Sequence, residues 1–261
     1  MISDAKNRDF SAVALRTDGP STPASRRFSS IGDARHDPHL NGHYLRHNPT
    51  WHVEFSPWKA NNIHRLLQRM QLSPRTIAEV GCGAGEVLRQ LQLKMDPACR
   101  FWGCDVAPAA IELAKQRQNE RLSFEVCDFT AVETPRTDLL LVLEVIDHVE
   151  DYLGFLRAIR SRAEWKLFSF SLDISMQSAL RKGALLRRKE VHSHIHHFNK
   201  ELALAAVRDT GYEIVHHEYP PMFAYSRLAK LAKPIRQVAF KLNPDLTARA
   251  LGGYSLMILA R

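Results

Sequence analysis

No apolar run in the 261 residues reaches the roughly 20 positions needed to cross a bilayer, and the first residues lack the hydrophobic core of a secretion signal. A soluble, cytoplasmic protein is expected. Cysteine is scarce: Cys82, Cys99, Cys104 and Cys127 form no C-x-x-C pair, so neither a zinc ribbon nor a dithiol centre is expected, and the four read as small buried fillers. Repeats and low-complexity tracts are absent too. Residues 1–40 mix Ser, Arg, Asp, Pro and Thr without apolar periodicity, so burial cannot offset the entropy of ordering them and a disordered tail is expected. Residues 41–261 are expected to form one domain, since a chain with 45% hydrophobic residues can build a single sizeable core.

Glycine is sparse as well, yet three of the twelve stand within five positions, in Ile77-Ala78-Glu79-Val80-Gly81-Cys82-Gly83-Ala84-Gly85-Glu86. A short apolar strand there carries an acid near its end and runs into a turn. Gly81 and Gly83 let the chain turn sharply, and Gly85 removes bulk so that backbone can approach a ligand. The dinucleotide fingerprint G-x-G-x-x-G needs glycine or alanine where this chain has Glu86, so a nicotinamide cofactor fits poorly. Three further apolar strands end in acids. Phe101-Trp102-Gly103-Cys104 leads to Asp105 and Val106, twenty residues beyond Gly85, the spacing at which a carboxylate meets ribose hydroxyls. Leu122 to Cys127 leads to Asp128 and Phe129, and Asp138 to Leu143 leads to Glu144-Val145-Ile146-Asp147-His148-Val149.

These four strand exits, in this order, resemble the motifs of the class I S-adenosylmethionine (SAM) dependent methyltransferases. The resemblance implies SAM as cofactor. It sets the backbone of Gly81, Cys82, Gly83 and Gly85 toward the methionyl part, with Glu79 orienting the loop and the ligand's ammonium. Asp105 and Val106 then lie at the ribose, Asp128 and Phe129 by the adenine amino group and ring, and Glu144 at the exit of strand four. It also implies a Rossmann-like α/β fold: a seven-stranded, mostly parallel sheet in the order 3-2-1-4-5-7-6, the last strand antiparallel.

The residues agree on their own account. Strands near 76–80, 101–104, 122–126, 138–143 and 165–171 alternate with helices near 86–94, 108–118 and 150–161, which predicts a parallel sheet with helices on both faces. A helix over 199–209 stopped by Gly211, a sixth strand over 212–219 and a last one over 254–260 complete it. Before strand one, Ser56 reads as an N-cap and Pro57 as the first helical position, with Trp58, Ile63, Leu66, Leu67 and Met70 as an apolar stripe. In the resembled family such a helix closes over the cofactor, which makes Trp51, Trp58 and Lys59 candidate substrate-pocket residues. Segments 174–198 and 222–245 break the alternation and read as substrate-side caps, the second interrupted by Pro234.

Methyl transfer from a sulfonium depends chiefly on positioning, but a hydroxyl acceptor gains from a base, and histidine titrates in the right range. Among thirteen histidines the run Val191-His192-Ser193-His194-Ile195-His196-His197 precedes a helix, where related sequences often set a histidine or arginine facing the acceptor. His194 is the preferred base, with His196 a second pocket candidate and His148 the rival. His192, His194 and His196 would share one side of an extended strand, but metal-ligand spacing and a carboxylate partner are missing, so no metal is expected.

Of a net charge of +8, residues 181–190 carry +4 and residues 227–241 carry +5, the rest being nearly neutral. Both segments fall on the substrate side, where they would attract an anionic or carrier-bound small-molecule acceptor, or an anionic membrane surface touched peripherally. A nucleic-acid substrate is disfavoured, because Glu144-Val145-Ile146-Asp147 replaces the N/D-P-P-Y/F turn of base-amino methyltransferases. The leading expectation is methylation at oxygen or nitrogen of a small molecule. A SAM-using cyclase or other group transferase, and a non-catalytic protein that binds an acidic partner or membrane, are the alternatives.

Overall fold

The structure, a computed structural model, describes the backbone of residues 41–221 and 227–261, and their side chains except in 227–233. The expected tail over 1–40 lies outside the described residues, as does Phe223 of the second cap. Among the described residues one sheet holds β1 (Thr76–Val80), β2 (Arg100–Asp105), β3 (Leu122–Val126), β4 (Thr137–Leu143), β5 (Ala163–Leu172), β6 (Ile214–Glu218) and β7 (Tyr254–Ala260), in the order β3-β2-β1-β4-β5-β7-β6. β1 to β5 pair in parallel, while β7 runs antiparallel to both β5 and β6.

The described helices are α1 (His43–His47), α2 (Ser56–Arg69), α3 (Glu86–Gln92), α4 (Pro108–Lys115), α5 (Tyr152–Ile159), α6 (Met176–Leu180), α7 (Ala184–His192), α8 (Lys200–Asp209), α9 (Arg227–Leu242) and α10 (Pro244–Leu251). Strand side chains alternate between two faces, and each face has its own core. Ala78, Trp102, Leu140 and Phe168 meet α5 and α8 through Leu156, Ile159, Ala203 and Val207. Ile77, Phe101, Leu139 and Leu167 meet α2, α3 and α4 through Leu66, Leu88 and Ile111. Because every position of β1 is buried, its residues must be apolar or partnered, so Glu79 at its penultimate position stands out.

Two local expectations change and one is filled in. Ser56 does not cap α2: the chain enters through a 3-10 turn at Val53–Phe55, and Ser56 is already the first, buried helical residue. Segment 174–198, expected only as a cap, contains α6 and α7, with Ser175 forming a capping box at α6 and Gly183 starting α7. The third concerns Gly85. A Cβ there would lie 2.4 Å from Cζ of Phe124 and 3.1 Å from Cβ of Ala114, so the missing side chain lets α3 pack on β3 and α4 instead of admitting a ligand.

Gly85→Ala combines a left-handed φ of 76° with that collision, and about 2–4 kcal/mol of destabilisation is expected from strain and overpacking together. Gly183 has a similar φ of 72° but open space beside it, so Gly183→Ala should cost only about 1 kcal/mol. Urea unfolding of the two variants measures the difference, and equal midpoints would refute the packing role.

Candidate active site

The order of the sheet reverses between β1 and β4, and the carboxyl ends of the parallel strands open there into a crevice, as expected for an open α/β sheet. A cavity of about 990 Å³ occupies it, lined from Gly81 to Ala84 after β1, by Asp105 and Val106 after β2, Asp128 and Phe129 after β3, Glu144 and His148 after β4, and Asp173 after β5. The chain before β1 contributes Tyr44, Trp51, His52 and Lys59, and the cap contributes Arg188, His192 and His194.

Asp105 organises the glycine turn. Its Oδ2 accepts from the Gly83 amide at 2.9 Å and its Oδ1 from the Ala107 amide at 2.9 Å, which ties the β1 turn to the start of α4. The same carboxylate lines the cavity. Asp128 is held by Thr130, whose amide and hydroxyl donate to Oδ1 at 2.9 and 2.7 Å. Phe129 is buried and packs its ring 5.8 Å from Trp102.

Two carboxylates take opposite charge states around one lysine. Lys59 donates to Oε2 of Glu144 at 2.7 Å; burial pushes the Glu144 carboxyl up, but the Lys59 cation outweighs it and holds its pKa below the usual range. Glu79 is more deeply buried, and burial pushes its carboxyl up to about 8 against the pull of Lys59 and with the help of Asp105. Its Oε2, like Nε1 of Trp51, is buried with no hydrogen-bond partner among the described residues. Such orphaned polar atoms in a cavity wall cost free energy unless something enters to pair them. An amino-acid-bearing nucleoside fits this wall: it brings an ammonium for Glu79 and hydroxyls for Asp105.

Backbone strain gathers at the same place. Among the described residues, the non-glycine residues with positive φ are Trp51, His52, Glu144, Ser193 and Gln71, and the first three line the cavity while Ser193 joins its lining residues His192 and His194. Left-handed non-glycine residues cost of order 1 kcal/mol or more each, and their clustering is a mark of function.

On the β5 side Asp173 gathers three donors. His194 Nδ1 lies 2.6 Å and His197 Nδ1 3.1 Å from its Oδ2, and Arg188 Nε lies 3.3 Å from Oδ1. Burial disfavours a charged His194, but the hydrogen bond to Asp173 and the nearby Asp147 carboxylate prevail and raise its pKa. Burial likewise opposes the Asp173 charge, and His194 with Arg188 prevails and lowers its pKa. His148 sits with its ring 5.1 Å from that of His194 and its Nδ1 3.1 Å from the Ser193 carbonyl. Ligand atoms of Asp173, His194 and His197 lie within 4.8 Å of one another, close enough to share a metal ion, although Arg188 on the same carboxylate disfavours a cation.

His194, His148, Trp51 and Lys59 are thus brought together, whereas two expected residues are not. His196 turns away, its ring 4.8 Å from Tyr152 and its Nε2 3.1 Å from the Glu150 carbonyl, because His192 ends α7 and Ser193 reverses the chain at φ 61°. The extended strand that would have aligned His192, His194 and His196 is therefore absent. Trp58 is half-buried on α2 and does not line the cavity. Sequence reasoning missed Asp173, Arg188, Tyr44 and His52. Asp173 had a signal, since it is an acid at a strand exit like the other four; Tyr44, whose phenol burial, Glu144 and Asp105 push upward, had none.

Comparison with known proteins agrees with this geometry. The profile of the methyltransferase-domain family matches residues 51–217. Human tRNA N(3)-cytidine methyltransferase METTL6 is 24% identical over 238 residues, covering 77% of this chain and 83% of its own. The malonyl-[acyl-carrier protein] O-methyltransferase of Anoxybacillus flavithermus is 35% identical over 68 residues, and the chain spans only 26% of its length. Among solved structures, the plantazolicin methyltransferase BpumL, in complex with a monoazolic desmethyl analogue and S-adenosylhomocysteine, superposes with a TM-score of 0.57 at 14% identity, covering 87% of this chain and 92% of its own. With the family profile spanning most of the chain, a SAM-type cradle at the switch point and the sheet order β3-β2-β1-β4-β5-β7-β6, the chain belongs to the class I SAM-dependent methyltransferases.

Proposed function

We propose that this methyltransferase, acting in the cytoplasm, methylates an oxygen or nitrogen of a small acceptor that carries an anionic group, with the His194–Asp173 pair taking the acceptor's proton. The observation that carries the reading is one continuous cavity wall. It joins the Gly83–Asp105 cradle to His194 and to the guanidinium-bearing residues Arg181, Arg188 and Arg236. The bound cofactor supplies an electrophilic methyl on a sulfonium. Gly83, Asp105, Asp128 and Glu79 would hold it, while Tyr44 and Trp51 cover the cradle and exclude water. Asp173 fixes the His194 ring through Nδ1, leaving Nε2 to take a proton. Arg181, Arg188 and Arg236 draw a phosphate or carboxylate, or a carrier-bound acyl group, to the same chamber.

A second reading is supported by the relative METTL6, which aligns over most of both chains: the acceptor is a tRNA base. One experiment separates the two. Incubated with methyl-labelled SAM and host extract, the protein should place label in the small-molecule acid fraction and release S-adenosylhomocysteine in equal amount. Label confined to tRNA or protein would defeat the small-molecule reading, and a cyclised product without S-adenosylhomocysteine would defeat methylation of any acceptor. No heat on titration with SAM would favour a non-catalytic protein.

A further inference from the structure

We propose that α9, with α10 and α6 beside it, docks the protein on an anionic lipid surface. The inner side of α9 is accounted for: Phe240 stacks 5.2 Å from Tyr254 and lies edge-on 5.6 Å from Tyr219, and Arg236 sits 5.2 Å over the Tyr254 ring. At 100° per residue, Ile235, Val238 and Leu242 form a stripe on the opposite side. They are 75%, 60% and 82% exposed, although large aliphatic residues spaced i, i+3, i+7 are what a helix normally buries. Exposed leucines continue onto α10 at Leu246 (62%) and α6 at Leu180 (78%), and α10 packs on both α9 and α6.

Charge selects the occupant. Arg227 to Lys241 contains five bases and no acid, and the segment after α6 adds Arg181, Lys182, Arg187, Arg188 and Lys189 against Glu190 alone. Two copies meeting through this face would oppose basic surfaces, whereas anionic headgroups neutralise the bases while the acyl boundary takes the stripe. An amphipathic helix of this length rides a lipid interface without spanning it, in keeping with the absence of any described helix long and apolar enough to cross. Since Arg236 and Arg181 also line the cavity, docking holds that wall at the headgroup layer, where a membrane-partitioned acceptor is concentrated.

The test is co-sedimentation of the full chain with phosphatidylcholine vesicles, with and without phosphatidylglycerol. Binding only to the anionic vesicles, weakened by salt, is expected. The I235S/V238S/L242S variant should bind them about tenfold or more weakly with unchanged SAM affinity and thermal midpoint, and the single variant Leu242→Asp severalfold more weakly. Absence of binding to anionic vesicles, equal binding to neutral ones, or undiminished binding of both variants would overturn the proposal. So would a dimer in sedimentation velocity that the triple variant dissolves while vesicle binding is nil, which would assign the stripe to a second copy.

Discussion

Asp105→Ala is expected to raise the dissociation constant for SAM about a hundredfold or more. The carboxylate does two jobs. It fixes the glycine turn through the Gly83 amide and the start of α4 through the Ala107 amide, both at 2.9 Å, and, as part of the cavity wall, it would accept from the ribose hydroxyls of the bound cofactor. Hydrogen bonds to a charged acceptor are worth about 1.5–3 kcal/mol each, so two lost ribose bonds account for the hundredfold, and loosening of the turn adds to it. Asp105→Asn keeps an acceptor oxygen and should lose less. Titration calorimetry reads the affinity, and a melt of the ligand-free variant separates lost binding from lost folding. Unchanged affinity with the fold intact would show that Asp105 holds the loop alone.

The donor half of the molecule was legible because its demands are local. Each strand and the acid at its exit are contiguous in sequence, and Glu79, Gly83, Asp105 and Asp128, which the resemblance sets at the cofactor, line one cavity. Gly85 shows the limit of that reading. Sequence spacing cannot tell a glycine that admits a ligand from one that admits Phe124, since the collision comes from a strand nearly forty residues away. The acceptor half depends on contacts between distant segments: His43 Nε2 against the Glu190 carbonyl, the Asn48 side chain on the Val191 carbonyl, Asp173 on His194. None of these follows from periodicity, and the single left-handed residue Ser193 was enough to part His196 from its neighbours. The sheet order was implied by the resemblance; the helical cap was not.

His194→Ala is expected to leave SAM affinity unchanged and to lower kcat by about 10²–10⁴, the usual contribution of a positioned general base. His148→Ala should cost much less, because the partner of its Nδ1 is the neutral Ser193 carbonyl, which stabilises a protonated ring less than the Asp173 carboxylate does; the reverse ranking would move the base to His148. The pH profile tests the same assignment independently. A base must be neutral, and Asp173 with Asp147 holds the His194 pKa above 6.5 in spite of burial, so kcat/KM should rise with pH through a limb above 6.5. Arg188, His192, His148 and His52 face the same ring, and the carboxylates outweigh the Arg188 cation. Burial pushes Asp147 itself up to about 7, so its ionisation overlaps the limb, and Asp147→Asn should move that limb to lower pH. Stability has the opposite trend. The raised pKa of His194 means its ion pair stabilises fully below 6.5 and is lost as pH rises through the folded value, while the lowered pKa of Asp173 means its contribution is lost as pH falls below 3.8 through the folded value. Activity should therefore increase over the interval in which the pair's contribution to stability declines, and a variant such as Asp173→Asn should move the rate limb to lower pH while removing that contribution. If the rate limb persists in Asp173→Asn at the same pH, the titrating group is not His194.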